Sequence, residues 1–203
     1  VDRRQRQMCI RDRYNFDFGQ ELLNRDEVRE TLGTEKYIGG LKINYNGHLH
    51  PLNLCIGEAD AASDLGVVIN EKSPVTKIIH GAKPVVETSQ GSVEADFVVL
   101  AGNAYHFLEP KLRGAVLPVK SFIIGSEPLS TDLVNRINPQ DLAVCDPNYI
   151  LEYFRLSADK RLLFGRRFPY FGDNPDVIKK ALIPKMLQVY PCLLYTSPSP
   201  RDS

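Results

Sequence analysis

The stretch Val93–Tyr105 constrains the fold more than any other part of this 203-residue chain. Within it, Phe97–Leu100 is a short apolar run rich in β-branched residues, which predicts a strand buried on both faces. The run ends on Ala101-Gly102-Asn103, where small side chains let a ligand or another backbone come close. Ligands of open α/β sheets bind beyond the carboxyl ends of the strands, so this gap is a candidate binding site. A plain strand-ending turn is the alternative.

The segments before this strand predict a helix, a second helix and an antiparallel meander. Apolar residues spaced three and four apart favour an exposed helix over Glu21–Leu32 and a better one that follows Pro51 and stops at Gly66. Between them, Tyr37–Asn44 has strand-like content with a break at Gly39-Gly40. The strands expected next are Val67–Ile69, Val75–Ile79, Pro84–Thr88 and Ser92–Leu100. Such an order is typical of half of a nucleotide-binding α/β domain.

The pattern of predicted elements changes after Tyr105. Leu117–Glu127, Tyr149–Leu156 and Arg161–Gly165 are strand-like and are separated by turns rich in Pro and Asp. Asp176–Tyr190 predicts a helix that Pro184 bends or interrupts. We therefore expect a mixed α/β (α+β) chain whose second part is an antiparallel β-rich domain.

Composition excludes several classes of protein. The formal net charge is zero, and residues 1–13 alone contribute five Arg, so the rest of the chain carries no basic stripe of the kind that binds nucleic acid. No apolar run reaches bilayer length, and no apolar signal-peptide core is present. Cys55 and Cys145 are far apart in sequence, which favours a reducing compartment. A cytoplasmic protein that binds neither membrane nor nucleic acid is expected.

The two ends of the chain look foreign to the fold. Residues 1–13 show no periodicity, and residues 192–203 end in a Ser/Pro run that cannot build a core. Both resemble translated sequencing adaptors, so we expect non-native tails. For residues 1–13, the alternative interpretation is a basic arm that binds nucleic acid or directs targeting.

Candidate chemistry is sparse when it is taken from the residues alone. His48 and His50 share one face of an extended segment, but no third ligand accompanies them, so no metal site is predicted. The chain contains no G-x-S-x-G elbow, P-loop or G-x-G-x-x-G. Side chains alternate faces along residues 152–155, where Phe154 is a core candidate and Arg155 an edge charge.

Six segments, in order and at matching spacing across residues 14–191, resemble the FAD-dependent oxidoreductases of the D-amino-acid oxidase, glycine oxidase and sarcosine oxidase type. Within that family, two phrases (GGLKINYNGHLHPLNL and YFRLSADKRLLFG) are most similar to gamma-glutamylputrescine oxidases. The six segments are Gly47–Pro51, Leu65–Val67, Ser73–Thr76, Ala95–Ala104, Leu117–Lys120 and Leu162–Gly165.

The resemblance implies a partial Rossmann-like FAD-binding domain over residues 47–104 and a substrate domain built from residues 14–46 and 105–191. It implies that the cofactor-binding residues are Val75, Ala101, Gly102, Asn103 and Gly165. It also implies that the substrate-binding residues are His50, Glu152 and Phe154. The glycine-rich motif of the family is expected before Tyr14. Leu163 stands where the sarcosine oxidase branch has a lysine that helps to activate oxygen.

The function expected on this basis is oxidation of a C–N bond of a small amine, by hydride transfer to FAD and with O₂ as the electron acceptor. A dehydrogenase that passes electrons elsewhere is the alternative acceptor chemistry. Two other classes stay open: an NAD-linked dehydrogenase and a non-catalytic module that binds small molecules.

Overall fold

The computed structural model describes residues 19–103, 108–112, 114–116, 119–167 and 174–196. These residues fall into two compact units. The first, which we call the split unit, is drawn from Val1–His50 and Lys120–Ser203. The second, the central unit, is drawn from Pro51–Val119. The assignment of residues 47–104 to an FAD-binding domain, and of residues 14–46 and 105–191 to a substrate domain, stays a prediction.

The described residues form short strands and helices in alternation. The strands are β1 (Gln20–Asn24), β2 (Gly39–Ile43), β3 (Val75–Ile79), β4 (Val85–Thr88), β5 (Ser92–Glu94), β6 (Ser121–Gly125), β7 (Val144–Cys145), β8 (Glu152–Leu156) and β9 (Leu162–Arg167). The α-helices are α1 (Arg25–Leu32), α2 (Pro51–Asp64), α3 (Thr131–Ile137) and α4 (Pro175–Val189). Pro110–Leu112 and Pro191–Thr196 form 3₁₀ turns. All strand pairs are antiparallel, in sheets ordered β1-β2, β3-β4-β5 and β6-β9-β8-β7.

Helix α1 begins four residues later than the sequence predicted. The Asn24 side chain accepts hydrogen bonds from the backbone N–H groups of Asp26 and Glu27, and the Glu27 carboxylate accepts one from the Asn24 N–H. This reciprocal capping box fixes the helix start, so the residues before it are free to form β1. The prediction of a helix from Glu21 was wrong because the apolar spacing was followed past a strong cap.

Glycines allow β1, β2 and α1 to approach each other closely. Gly39 and Gly40 were predicted to break a strand, but both lie within β2. A Cβ atom on Gly40 would lie 3.2 Å from Val28 Cγ2, and one on Gly39 would lie 3.0 Å from the carbonyl oxygen of Leu23. The missing side chains therefore permit packing instead of ending the strand.

The core of the split unit lies on one face of the four-stranded sheet. Phe154 and Phe164 stack with their ring centroids 5.9 Å apart, and Tyr190 meets Phe154 edge-on at 5.6 Å. The Tyr190 hydroxyl donates a hydrogen bond to the Ile137 carbonyl, which satisfies its only polar atom inside the core. Helix α4 supplies four buried apolar side chains, namely Ile178, Leu182, Met186 and Val189.

Two features of the split unit differ from the sequence predictions. Helix α4 runs without interruption through Pro184, which was predicted to bend or interrupt it. Helix α3 was not predicted at all; Ser130 caps it by accepting a hydrogen bond from the Leu133 N–H. Leu193 lies in the segment expected to be foreign to the fold, yet it is 3% exposed and belongs to the core.

The central unit has regular elements but no buried side chain among its described residues. Helix α2 and the β3-β4-β5 meander form as the sequence predicted, and Gly66 ends the helix region with φ of 91°. The predicted strand over Phe97–Leu100 is absent: the segment is irregular, and Phe97 and Val99 are 88% and 86% exposed. Val67–Ile69 forms no strand either. Both predictions failed because a buried strand needs paired neighbours, and the described residues provide none here.

Candidate functional site

The four-stranded sheet of the split unit has one covered and one open face. Phe154, Leu156, Leu162 and Phe164 are buried on the covered face, which packs on the core. Successive side chains of a strand point to opposite faces. The side chains between them therefore occupy the other side, which we call the open face; its central members are Ile123, Tyr153, Arg155, Leu163 and Gly165.

At the middle of the open face, the aromatic ring of Tyr153 lies over Gly165. Tyr153 and Gly165 are register partners in β8 and β9. A Cβ atom on Gly165 would lie 2.1 Å from Tyr153 Cε2, so no other residue fits beneath this ring without displacing it. Ile123 completes the row on β6 and is 58% exposed. This surface is flat, apolar and half-exposed, and it is suited to pack against a ring or an alkyl chain.

Arg155 lies at one side of this surface and is held by His48. Its Nη1 atom is 3.3 Å from His48 Nδ1 and donates to the Leu156 carbonyl at 3.2 Å. On the other side of the imidazole, His48 Nε2 lies 2.8 Å from the carbonyl oxygen of Asp141. An arginine N–H group can only donate, so His48 Nδ1 must be the acceptor. The ring hydrogen is then on Nε2, which donates it to the Asp141 carbonyl. This is the neutral form of the imidazole. Arg155 thus keeps its charge on a surface that is otherwise apolar.

A buried polar cluster lies at the end of β8 on the covered side. Glu152 is 3% exposed, and its carboxylate is ion-paired with the Lys36 ammonium. Its backbone N–H donates to Asp146 Oδ1 at 2.9 Å, and the Asp146 carboxylate also accepts from Asn148. Glu152 is therefore fully engaged in the split unit.

Tyr37 belongs to the same cluster. Its hydroxyl oxygen is buried without a hydrogen-bond partner. Burial raises the pKa of the Tyr37 phenol, and the nearby carboxylates of Asp146 and Glu152 raise it further. The phenol is accordingly held in its neutral form over the whole physiological range.

The predicted cofactor residues of the central unit lie on its surface. Val75 is 37% exposed at the start of β3, and Ala101, Gly102 and Asn103 are exposed. Asn103 adopts a left-handed backbone with φ of 52°, which turns the chain directly after Gly102. One cavity of this unit has a volume of about 130 Å³ and is lined by Ile78, His80, Pro84, Val98 and Leu100. That volume is below the range usual for cofactor sites.

The predicted site residues are divided between the two units. Val75 and Ala101–Asn103 belong to the central unit, whereas Gly165, His50, Glu152 and Phe154 belong to the split unit. His50 is exposed at the approach to α2. Phe154 is a core residue, 3% exposed. Among the described residues, no group of three or more His, Cys, Asp or Glu side chains is arranged to hold a metal ion.

Sequence reasoning missed the residues that are most distinctive in the structure. Lys36 and Tyr37 lie more than a hundred positions before Glu152 and carry no local pattern. The alternation along β8 was recognised, and it does separate Tyr153 and Arg155 from Glu152 and Phe154. The residue pattern predicted Phe154 in the core, and this is confirmed. The assignment of Glu152 and Phe154 to substrate came from the resemblance and stays a prediction. The helices in the described part of the chain include none with the length and apolar character of a membrane span.

Comparison with known proteins gives one family throughout. The model of the DAO family, described as FAD dependent oxidoreductase, matches residues 2–199. Among curated proteins, the chain is 41% identical over 175 residues to gamma-glutamylputrescine oxidoreductase of Escherichia coli (strain K12), with 85% of this chain and 41% of that protein covered. It is 40% identical over 186 residues to the probable oxidoreductase OrdL of Haemophilus influenzae, with 88% of this chain and 42% of that protein covered.

Among solved structures, the glycine oxidase of Geobacillus kaustophilus matches with a TM-score of 0.68 and 17% identity, over 95% of this chain and 52% of that one. At this identity the match speaks for the fold. The chain spans about two fifths of the length of the curated relatives it matches. The resemblance found in the sequence is confirmed: the chain belongs to the DAO family of FAD-dependent oxidoreductases.

Proposed function

We propose that the protein carrying this chain oxidises the amine end of a glutamylated polyamine, with FAD as cofactor and O₂ as electron acceptor. The observation that carries the proposal is the 41% identity, over 85% of the chain, to a gamma-glutamylputrescine oxidoreductase. The family is FAD dependent, which supports the cofactor. The open face of the split unit is a surface of suitable chemistry for the substrate.

The residues that the resemblance assigns to FAD fit part of that cofactor. Ala101, Gly102 and Asn103 are exposed and small or polar, so their backbone is accessible to a ribose and a phosphate. Val75 offers an exposed strand edge to an adenine. No strand in the described central unit leads through a glycine-rich turn into a helix, which is the element that binds a pyrophosphate. When bound, FAD would supply the electron-accepting chemistry, which is the uptake of a hydride from the carbon next to nitrogen.

The residues of the split unit position the amine and exclude water. Tyr153, Leu163 and Ile123 present apolar surface that packs against the alkyl chain of a polyamine. The predicted contacts of Glu152 and Phe154 with substrate require these side chains to leave the covered face. Tyr153 and Arg155 need no such change, so we assign the substrate side of β8 to them. Glu152 then holds the end of this strand through Lys36.

The acceptor is the least constrained part of the proposal. Leu163 lies on the open face, at the position where the resemblance places an oxygen-activating lysine in related enzymes. An apolar side chain cannot supply that positive charge. Peroxide formation at the rate of oxygen uptake supports an oxidase, whereas turnover that needs an artificial electron acceptor makes the protein a dehydrogenase.

The proposal is tested on the protein in which this chain forms part of a complete DAO-family domain. We expect a flavin absorption spectrum that bleaches anaerobically on addition of gamma-glutamylputrescine. Tyr153→Ala should lower turnover at least about tenfold because the substrate loses its packing surface. The matched control is Tyr149→Ala, which removes a fully exposed ring and should change nothing. A nicotinamide cofactor instead of flavin, or amine binding without any reduction, contradicts the proposal.

A further inference from the structure

The guanidinium of Arg155 is held from one side only. Both hydrogens of Nη1 are used, one toward His48 Nδ1 and one toward the Leu156 carbonyl. The Nε and Nη2 edge keeps its N–H donors in a parallel pair, which is the geometry that binds a carboxylate through two hydrogen bonds. Among the described residues, no carboxylate lies within ion-pair distance of this edge.

Arg161, on the same β-hairpin, is an arginine whose charge is balanced by neighbouring carboxylates. Its Nε donates to Asp159 Oδ2 at 2.7 Å, and its Nη1 lies 3.8 Å from Glu127 Oε2. Arg155 is half-buried beside a neutral imidazole instead. A partly desolvated cation without a counter-charge is unfavourable for folding, so its presence points to a ligand that supplies the negative charge.

The surroundings of Arg155 indicate the shape of that ligand. Leu163 is its register partner across the sheet, and Tyr153 lies two residues along the same strand, about 7 Å away. A molecule that lies along the open face would therefore meet a cation at one end and an aromatic and aliphatic surface at the other. Its carboxylate would have to be joined to an apolar chain.

We propose that Arg155, positioned by His48, is a carboxylate-binding site for the amino-acid end of the amine substrate. This inference rests on the proposed function and adds to it the part of the substrate that is recognised away from the reacting amine. Gamma-glutamylputrescine has the required form, with a free α-carboxylate at one end, a four-carbon chain and a primary amine at the other. His48 acts as a positioning residue that fixes the orientation of the guanidinium.

The test compares two ligands that differ only in the carboxylate, gamma-glutamylputrescine and N-(4-aminobutanoyl)putrescine. Dissociation constants are measured by calorimetry under anaerobic conditions on the same complete protein, with its flavin chemically reduced beforehand so that neither amine is oxidised. Arg155→Met should weaken binding of the first ligand about tenfold or more and of the second less than about twofold. Arg155→Lys keeps the charge and loses the paired donors, so its effect should lie between these values.

Two further variants separate the site from general damage to the fold. His48→Ala should weaken binding of the carboxylate ligand about threefold, and His48→Asn, whose side-chain oxygen can replace Nδ1 as acceptor, should restore it. Arg161→Met, which removes an arginine that already has carboxylate partners, should leave both constants unchanged. Unchanged binding of the second ligand shows that each variant is folded.

Each outcome decides the inference. Equal weakening of both ligands by Arg155→Met, no weakening of either, or a wild-type protein that does not prefer the carboxylate ligand overturns it. Turnover by the wild-type protein is recorded separately. If the protein oxidises the amine but Arg155→Met affects both ligands equally, the proposed function stands and the carboxylate site does not. If Arg155→Met weakens only the carboxylate ligand but no amine is oxidised, the binding site stands and the proposed function does not.

Discussion

The split unit and the central unit differ in how far their apolar residues are buried. Phe164 in the split unit is fully buried, whereas Phe97 in the central unit is 88% exposed. Each buried side chain among the described residues belongs to the split unit. Both units have regular helices and strands, so local sequence preference is sufficient for their elements. Burial requires a second layer packed on the sheet, and the described residues show one only in the split unit.

The difference in burial between the two units is tested most directly by removing one aromatic side chain from each. Phe164→Ala leaves a cavity beside the ring of Phe154, on which Phe164 stacks, and should cost about 3–5 kcal/mol of unfolding free energy. Phe97→Ala removes a ring that touches mostly solvent and should change the stability by less than about 0.5 kcal/mol. Urea denaturation followed by circular dichroism measures both. Similar losses for the two variants would mean that Phe97 is buried in solution.

Two helix-ending glycines provide the next comparison. Gly33 and Gly66 both have positive φ, 64° and 91°. A Cβ atom on Gly33 would lie 1.7 Å from the carbonyl oxygen of Arg136, whereas one on Gly66 would meet nothing within 4 Å. Gly33→Ala should therefore cost about 3 kcal/mol, from backbone strain plus overpacking. Gly66→Ala should cost only the strain, about 1 kcal/mol. Thermal unfolding distinguishes them, and equal costs would contradict the packing at Arg136.

A third comparison removes one carboxylate from an ion pair in each unit. Glu152→Gln leaves the Lys36 ammonium without its partner, which should cost about 2–3 kcal/mol. The value is below that of a fully buried pair because the Lys36 side chain is 21% exposed. Glu94→Gln breaks a pair whose side chains are 65% and 59% exposed in the central unit, and should cost less than about 1 kcal/mol.

The double variant Lys36→Met with Glu152→Leu checks the cause. If the loss in Glu152→Gln arises from an uncompensated charge, removal of both charges should recover most of it. Chemical denaturation at one pH is sufficient. A double variant as unstable as the single one would assign the loss to the hydrogen bonds around Asp146 instead.

The contrast between forming a helix or strand and burying it also explains how much of the fold could be predicted from the sequence. The meander β3-β4-β5, helix α2 and its Gly66 stop follow from local periodicity and turn residues, and these predictions are confirmed. The prediction of a buried strand over Phe97–Leu100 was wrong. An apolar run shows that burial would be favourable, but it does not show that neighbouring strands are present to pair with it. Helix α1 was misplaced because a capping box overrode the apolar spacing.

The candidate site shows the limit more clearly. The alternation along β8 gives two sets of side chains, but the choice of the covered set depends on α4 and Tyr190, which lie far along the chain. The pair of Lys36 with Glu152 and that of His48 with Arg155 join distant residues that share no motif. The assignment of Val75, Ala101–Asn103 and Gly165 to FAD, and of His50, Glu152 and Phe154 to substrate, stays a prediction.

The smallest expected effect concerns the pH dependence of the split unit. Burial raises the pKa of Tyr190, and the same cause, reinforced by Asp146 and Glu152, raises that of Tyr37. A phenol whose pKa is higher in the folded state keeps its proton there while the unfolded chain loses it. The contribution to stability is therefore complete below about pH 10 and is lost as the pH rises above the unfolded pKa.

One pH unit above that point, each of the two phenols should cost up to about 1.4 kcal/mol. Stability measured by urea denaturation between neutral and alkaline pH should fall more steeply in the wild-type chain than in Tyr37→Phe. At neutral pH this variant should be close to wild type, because the Tyr37 hydroxyl forms no hydrogen bond that could be lost. An identical alkaline slope in both would show that the Tyr37 phenol is open to water, and would remove it from the buried cluster with Glu152.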